Sequence, residues 1–259
     1  MENSVALIEI NQSWVISILL VATRLSAMLY MTPLMTALPK QPIVKVMLVL
    51  SLSIALSLIR PAPTQIQMGD IAWMISTAIT ELVTGFVLGI GVLLAFSACT
   101  FAGKILDVQI GFGIAQIFDP VTRNQGTVIS AIFSQCALLL FFINDLHHVI
   151  LRAFAASMER IPLGSSILNE QTFKMVMYQI PAMFSLGFIL VAPIIIFMVM
   201  VEFAIGILSR NMPQMNSFVI GMPVKVVGGL VALSVWMLYC NELFKKVYVQ
   251  MFHFWGMVF

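Results

Sequence analysis

Charged side chains are scarce in this sequence. Only 13 Lys and Arg and 11 Asp and Glu occur among 259 residues, whereas 61% of the residues are hydrophobic and the mean hydropathy is +1.04. A water-soluble exterior needs far more polar side chains, since about a quarter of the residues of a typical soluble domain are charged. The composition therefore excludes a soluble globular domain, and we expect an all-α membrane protein.

Basic clusters and catalytic motifs are missing as well. The formal net charge is only +2, and no run of Lys or Arg could follow a phosphate backbone, so nucleic acid is not an expected partner. The sequence has no G-x-S-x-G or H-E-x-x-H motif, and its three cysteines lie far apart inside apolar stretches. We therefore expect no catalytic residue, no cofactor and no metal site.

Apolar runs long enough for membrane helices occur at about 13–35, 43–59, 71–102, 127–143, 175–208 and 224–244. The runs at 71–102 and 175–208 exceed the roughly 20 residues that cross a bilayer, so they must tilt, kink or project beyond it. Pro193 offers a kink in the second of these. Between the runs, Leu146 to Met158 mixes charged and apolar residues, which predicts an amphipathic helix at an interface.

The distribution of charge gives no orientation. Lys and Arg divide equally between the two sides of a simple six-span arrangement. The positive-inside rule therefore does not identify which side is cytoplasmic. This balance favours a fold that is not an ordinary six-span bundle. The segment from Met1 to Gln12 lacks a basic region, and we expect the first apolar run to be retained rather than cleaved.

Two of the charges inside apolar runs stand out, namely Arg24 and Glu81. Arg24 is in the middle of the first run, where a charge costs about 2.5 to 3.5 kcal/mol on insertion scales. Glu81, Gly85 and Gly89 follow at intervals of four, which places a carboxylate and two glycines on one helical face suited to close packing. One interpretation is a buried link between Arg24 and Glu81, or a charge on a substrate path. The interpretation we favour is that each pairs locally with a backbone carbonyl or a neighbouring subunit.

The stretch from Gly103 to Pro120 is apolar but contains three glycines and ends in Asp119-Pro120, so it predicts a poor helix. Non-helical backbone at membrane depth is tolerated only where it is buried in protein or lines a cavity. The stretch is therefore a candidate gate or constriction, and the alternative is an interfacial turn between spans. Gly111-Phe112-Gly113 lacks the third glycine of a nucleotide-binding loop.

Several blocks together carry a likeness to a known family. They are Glu81 with Gly85 and Gly89, the stretch from Gly103 to Pro120, and the run GILSRNMPQMNSFVIGMPVK from Gly206 to Lys225. In these blocks and over nearly its whole length, the sequence resembles the FliR family of type III export-gate subunits and its injectisome relatives, the T subunits. Departures are local: Leu146 precedes His147 where the family commonly has glycine, and Gly126 stands where a proline is frequent.

The resemblance implies a single export-gate subunit that looks like a fusion of a P-like and a Q-like part. Its N-terminal hairpins would cover residues 1–174 and a C-terminal hairpin 175–259. One copy would join several FliP-like and FliQ-like subunits, with a FlhB-like subunit and membrane lipid, in a helical ring at the flagellar basal body of the bacterial inner membrane. Much of the fold would lie at or above the periplasmic face, and unfolded flagellar proteins would pass through the ring.

The resemblance also implies roles for particular residues. The segment 103–120 would form a plug that closes the pore, with plug residues Gly111, Phe112, Gly113, Ile114, Ile117, Phe118, Asp119 and Pro120. Residues expected at structural contacts or interfaces are Arg24, Glu81, Gly85, Gly89, Arg210, Pro213, Gln214, Asn216, Phe218 and Lys225. Apolar constrictions can gate by dewetting, which gives a physical reason for an apolar plug.

Two other functions remain open at this point. The chain could be the T subunit of a virulence secretion system instead of a flagellar subunit. A small-solute secondary transporter would use broken helices and intramembrane charges at a midplane site, for which Glu81 and Pro193 are candidates. Transporters tend to show repeat symmetry between their halves, and none is evident in this sequence.

Overall fold

Long helices dominate the computed structural model, which describes residues 12–33, 35, 41–59, 71–112, 128–212, 214 and 217–258. Within these residues no strand occurs. The helices are α1 (Gln12–Tyr30), α2 (Pro42–Ile59), α3 (Ile71–Ile110), α4 (Val128–Ile143), α5 (Leu146–Arg160), α6 (Glu170–Asn211), α7 (Ser217–Met237) and α8 (Cys240–Val258). The expectation of an all-α fold is confirmed.

Fewer helices could span a membrane than the six apolar runs suggest. Three described helices are long and apolar enough, namely α3, α6 and the Val219–Met237 part of α7, and the count rises to four if α4 and α5 form one bent span. α1 and α2 are apolar but shorter. Leu146–Arg160 forms the expected amphipathic helix, which buries Ile150, Phe154 and Met158 on one face. α6 continues without interruption through Pro181 and Pro193.

The helix α3 extends further than the sequence indicates. The expectation that Gly103 begins a poor helix is wrong for the first part of that stretch, because α3 continues to Ile110. Gly103 lies against α4, where an added Cβ would be 2.6 Å from Ser130 Cα. This close packing stabilises a helix that glycine alone disfavours. α3 ends at Ile110, and the next residue is Gly111, whose φ of 100° suits only glycine without strain.

The last predicted run, 224–244, is divided between two helices. α7 ends at Met237 and α8 begins at Cys240 after a turn in which the amide of Tyr239 donates to the carbonyl of Trp236 at 2.9 Å. α8 is amphipathic, because polar residues such as Glu242 and Lys246 share it with buried aromatic residues such as Phe254. Hydropathy averaged over a window merges the end of α7 with the apolar face of α8.

The chain forms two compact units that alternate along the sequence. The first contains Met1–Val92, His148–Val176 and Met257–Phe259, and the second contains Leu93–His147 and Met177–Gly256. In the first unit, α1 packs closely on α3 along the predicted glycine face. A Cβ at Gly85 would overlap the backbone carbonyl oxygen of Arg24, and one at Gly89 would lie 2.9 Å from Met31 Cβ.

Aromatic side chains fill the core of the second unit. Phe133 stacks on Trp236 with ring centroids 5.3 Å apart, and Phe141 meets Tyr248 edge to face at 5.8 Å. The Tyr248 hydroxyl donates to the carbonyl of Ala137 at 2.6 Å. Burial, and then the nearby Cys99, raise the pKa of the Tyr248 hydroxyl far above its usual value. The hydroxyl therefore stays protonated and serves this hydrogen bond as a donor.

The close approach at Gly85 predicts the effect of a larger side chain. We expect Gly85→Val to lower the stability of the first unit by about 1–3 kcal/mol, because the new side chain must displace α1. Thermal unfolding of the purified protein in detergent measures the change. Gly206→Val is the matched control, since nothing lies within 4 Å of a Cβ added at Gly206. Equal melting temperatures for the two variants would contradict the close packing.

Candidate functional site

Arg24 and Glu81 form a buried ion pair within the first unit. The Arg24 Nε lies 2.5 Å from Glu81 Oε2, and its Nη2 lies 3.0 Å from Glu81 Oε1. Both side chains are 0% exposed. A planar guanidinium that meets both carboxylate oxygens makes the strongest kind of charged hydrogen bond. The position of Glu81 one helical turn before Gly85 permits this pairing, because α1 and α3 nearly touch there.

The same pair also binds backbone groups in the last turn of α5 and just after it. Arg24 donates to the carbonyl of Ser157 at 3.3 Å and to that of Ile161 at 3.2 Å from each of two nitrogens. The Glu81 Oε1 accepts from the backbone amide of Gly164 at 2.7 Å. Carbonyls at a helix C-terminus lack intrahelical donors and attract a cation. One ion pair therefore joins α1, α3 and the end of α5.

The structure shows the link between Arg24 and Glu81 and not the local pairing that we favoured. The carbonyls that Arg24 binds belong to residues more than 130 positions away in the sequence. An unpaired charge in such a place would cost several kcal/mol, so the two side chains depend on each other. The backbone partners could not be anticipated, because Ser157 and Ile161 are far from Arg24 in sequence and contribute only carbonyl oxygens.

Asp107 is a second buried charge, near the end of α3 in the second unit. Its Oδ1 accepts from the amide of Ile129 at 3.1 Å and its Oδ2 from the amide of Ser130 at 2.9 Å. The side chain is 0% exposed. A carboxylate at the N-terminus of α4 satisfies amides that have no partner inside the helix and interacts favourably with the helix dipole. Asp107 is not among the site residues predicted from the sequence. The signal that could have found it is an acidic side chain near the end of a mainly apolar helix.

Lys225, expected at a structural contact, pairs with Glu202 across α6 and α7. The Lys225 Nζ lies 2.6 Å from Glu202 Oε1, and the two side chains are 31% and 40% exposed. They line a pocket of about 460 Å³ in the second unit, with Val108, Ile110, Gly111, Ile205, Gly206, Ser209, Gly221 and Met222. Sequence reasoning missed Glu202, but a carboxylate within an apolar run of this length was a signal that could have found it.

The remaining predicted residues fall into three groups. Arg210 is exposed in the last turn of α6, and Gln214 is exposed in the turn that follows. Gly111 and Phe112 are half-buried after the end of α3. Phe218 lies in the first turn of α7, and its side chain is not described. The predicted residues that lie outside the described residues altogether are Gly113, Ile114, Ile117, Phe118, Asp119, Pro120, Pro213 and Asn216. The plug thus stays a prediction.

The buried pair predicts a strong effect of neutralising one partner. We expect Glu81→Gln to destabilise the first unit by about 3–5 kcal/mol, because Arg24 would keep a buried charge without a counterion. Thermal unfolding in detergent measures the loss. Glu170→Gln is the control, since Glu170 and Lys174 form an exposed pair of the kind that contributes little. Similar melting temperatures for both variants would contradict the assigned role of Glu81.

Known proteins match this chain over most of its length. A family model described as bacterial export proteins, family 1, matches residues 15–251. Flagellar biosynthetic protein FliR of Bacillus subtilis is 31% identical over 163 residues, which are 62% of this chain and 63% of that protein. FliR of Aquifex aeolicus is 28% identical over 227 residues, or 86% of each chain. The secretion system apparatus protein SsaT of Salmonella typhimurium is 29% identical over 167 residues, or 64% of each chain.

The match to the Bacillus protein spans less than two thirds of that protein's length, whereas the family model covers nearly all of this one. The likeness noted in the sequence blocks and the independent family match agree. This chain therefore belongs to the family of bacterial export proteins, family 1.

Proposed function

We propose that this chain is a structural channel subunit of the flagellar type III protein export gate in the bacterial inner membrane. The observation that carries the proposal is the family match over residues 15–251, together with relatives from three organisms that are named flagellar biosynthetic protein FliR. The subunit acts by its shape and packing, not by catalysis. It has no role for a cofactor.

The exposed apolar surface supports a place in a membrane assembly. In the most apolar stretch of 18 residues of α6, only 22% is buried inside the chain, and the same share holds for the corresponding stretch of α7. On α6, Phe188, Ile196 and Phe203 are 50%, 63% and 72% exposed. A monomer in water does not tolerate so large an apolar face, so lipid or other subunits must cover it.

We propose that one copy of the chain assembles with several FliP-like and FliQ-like subunits, and contacts a FlhB-like subunit. The resulting ring surrounds the path of unfolded flagellar proteins, and much of it lies at or above the periplasmic face. The proposal draws on the resemblance of the blocks around Glu81 and from Gly206 to Lys225. Within the chain, the Glu202–Lys225 ion pair joins two helices of the proposed C-terminal hairpin.

The apolar segment 103–120 is proposed to close the pore when no substrate is present. Its helical beginning brings the chain to Gly111 and Phe112, and the apolar side chains of Ile114, Ile117 and Phe118 follow in the sequence. A narrow apolar ring resists wetting, and this blocks ions without any specific contact. Entry of an unfolded substrate displaces the segment, while the energy for transport comes from other components and the proton motive force.

The plug predicts a leak in a double variant. We expect Phe112→Gly with Ile114→Gly to let small ions pass through the assembled gate without preventing assembly, since two apolar side chains of the closure are removed. Ion flux into vesicles that contain the purified complex measures the leak. Phe203→Ala with Ile207→Ala is the control, because both residues are exposed on α6 outside the proposed plug. Unchanged ion flux in an assembled double variant would count against the plug.

The assembly predicts a defined composition. Native mass spectrometry of the chain co-expressed with its neighbouring P-like and Q-like genes is expected to give a discrete complex with one copy of this chain and several of each partner. A free monomer or a homodimer would overturn the export-gate proposal and favour a transporter. The transporter has lost support from the geometry, because Glu81 is bound by Arg24 and by the amide of Gly164.

A virulence secretion system is the second candidate, since SsaT is about as similar to this chain as the flagellar relatives are. Deletion of the gene separates the two functions. Loss of swimming with normal secretion of effector proteins supports the flagellar proposal. The opposite result would assign the chain to the virulence system.

A further inference from the structure

We propose that the groove between α1 and α2 binds a phospholipid with an anionic headgroup. The phosphate of this lipid meets Lys45, and one acyl chain lies along the groove. The site belongs to the first unit and does not depend on what the export gate transports. It requires only that the chain lies in a membrane, which the exposed apolar helices already indicate.

The groove runs along one face of each helix. α1 and α2 pack on each other, and a cavity of about 480 Å³ lies between them. On α1 it is lined by Leu19, Thr23, Ser26 and Tyr30, whose spacing of three or four residues places them on one helical face. A helix rises roughly 16 Å from Leu19 to Tyr30. This length is close to the depth of one leaflet, since the hydrocarbon core of a bilayer is about 30 Å thick.

The walls of the groove are apolar along this length. Its two hydroxyls already donate to the backbone of their own helix, Thr23 to the carbonyl of Leu19 at 2.7 Å and Ser26 to the carbonyl of Thr23 at 2.9 Å. On α2 the lining includes Val46 and Val49. A volume of about 480 Å³ spread over a leaflet's depth is too narrow for another helix, which is about 10 Å wide. An extended acyl chain fits this shape.

One end of the groove carries a cation and a phenol. Lys45 in the first turn of α2 and Tyr30 in the last turn of α1 both line it. Because the two helices are consecutive and pack on each other, the end of α1 lies near the start of α2. Lys45 is half-buried and Tyr30 is 78% exposed. A lysine whose stem follows an apolar surface brings its ammonium to the level of the headgroups, and tyrosine favours the same level.

The charge at this end selects an anionic headgroup. None of the described residues that line the groove is acidic, and Lys45 is in none of the ion pairs between described residues. A phosphate that carries a net negative charge at the membrane surface gains from a nearby lysine. The groove thus combines a cation at one end with an apolar slot as deep as a leaflet, which is the pattern of a phospholipid.

The test compares two lipids that differ in headgroup charge. The chain is co-expressed with its P-like and Q-like partners, the complex is purified in detergent, and phosphatidylglycerol or phosphatidylcholine with the same acyl chains is added. Native mass spectrometry counts the lipids that stay bound. We expect Lys45→Met to weaken the binding of one phosphatidylglycerol per complex about fivefold, as for the loss of one basic side chain at an anionic headgroup. Binding of phosphatidylcholine is expected to stay unchanged.

Two further variants serve as controls. Lys45→Arg is expected to keep the binding, since it keeps the charge at the end of the groove. Lys246→Met removes an exposed lysine of α8 that does not line the groove, and it is expected to bind both lipids as the unchanged chain does. Equal binding of phosphatidylglycerol by Lys45→Met and the unchanged chain would overturn the proposal. An equal loss in Lys246→Met would overturn it too, because net charge alone would then explain the result.

A cross-link identifies the occupant while Lys45 stays intact, so the proposal can be tested even if Lys45→Met does not assemble. A photoreactive side chain replaces Val46, which lines the groove and is 56% exposed. A cross-linked phospholipid supports the proposal. A cross-link to another subunit, to a second copy or to another segment of this chain would overturn it and assign the groove to a protein contact. Because the same mass spectra show whether the complex forms, failure of the lipid site is distinguishable from failure of the export-gate proposal.

Discussion

A charge inside an apolar chain is stable only when its polar atoms are paired, and this constraint sets where the helices of this protein meet. Arg24 carries five N–H donors into the core of the first unit, and three of its nitrogens reach either the Glu81 carboxylate or backbone carbonyls at the end of α5. Removing a partner leaves the others unsatisfied. The cluster therefore favours one arrangement of α1, α3 and α5, whereas apolar packing alone tolerates many.

Asp107 applies the same constraint in the second unit, but through a helix end. Its carboxylate accepts hydrogen bonds from two backbone amides in the first turn of α4. These amides have no acceptor within α4 itself. In both units a buried charge is thus matched to backbone groups at a helix terminus, namely carbonyls for Arg24 and amides for Asp107. The signs agree with the helix dipole, which is negative at the C-terminus and positive at the N-terminus.

Local pattern predicted the helices and one packing face, but not the partners across the fold. The spacing of Glu81, Gly85 and Gly89 was sufficient to predict close packing, because helical periodicity is a property of neighbouring residues. The extension of α3 past Gly103 was missed, since it depends on contact with Ser130. The pairing of Glu202 with Lys225 could not be predicted for a similar reason, because the two residues lie on different helices. Backbone partners such as the Ile161 carbonyl leave no trace in side-chain composition.

The scarcity of charge and the exposed apolar helices have a common consequence. Only 22% of the most apolar stretch of α6, and the same share of that of α7, is buried inside the chain. Folding of this chain alone therefore leaves most of the apolar surface of these two helices without a partner. Any lipid or subunit that covers this surface binds only the folded chain and so stabilises it. The buried ion pair and the Asp107 carboxylate contribute order that does not depend on such partners. They define the helix arrangement within each unit, and this gives the remaining apolar surface a definite shape for partners to bind.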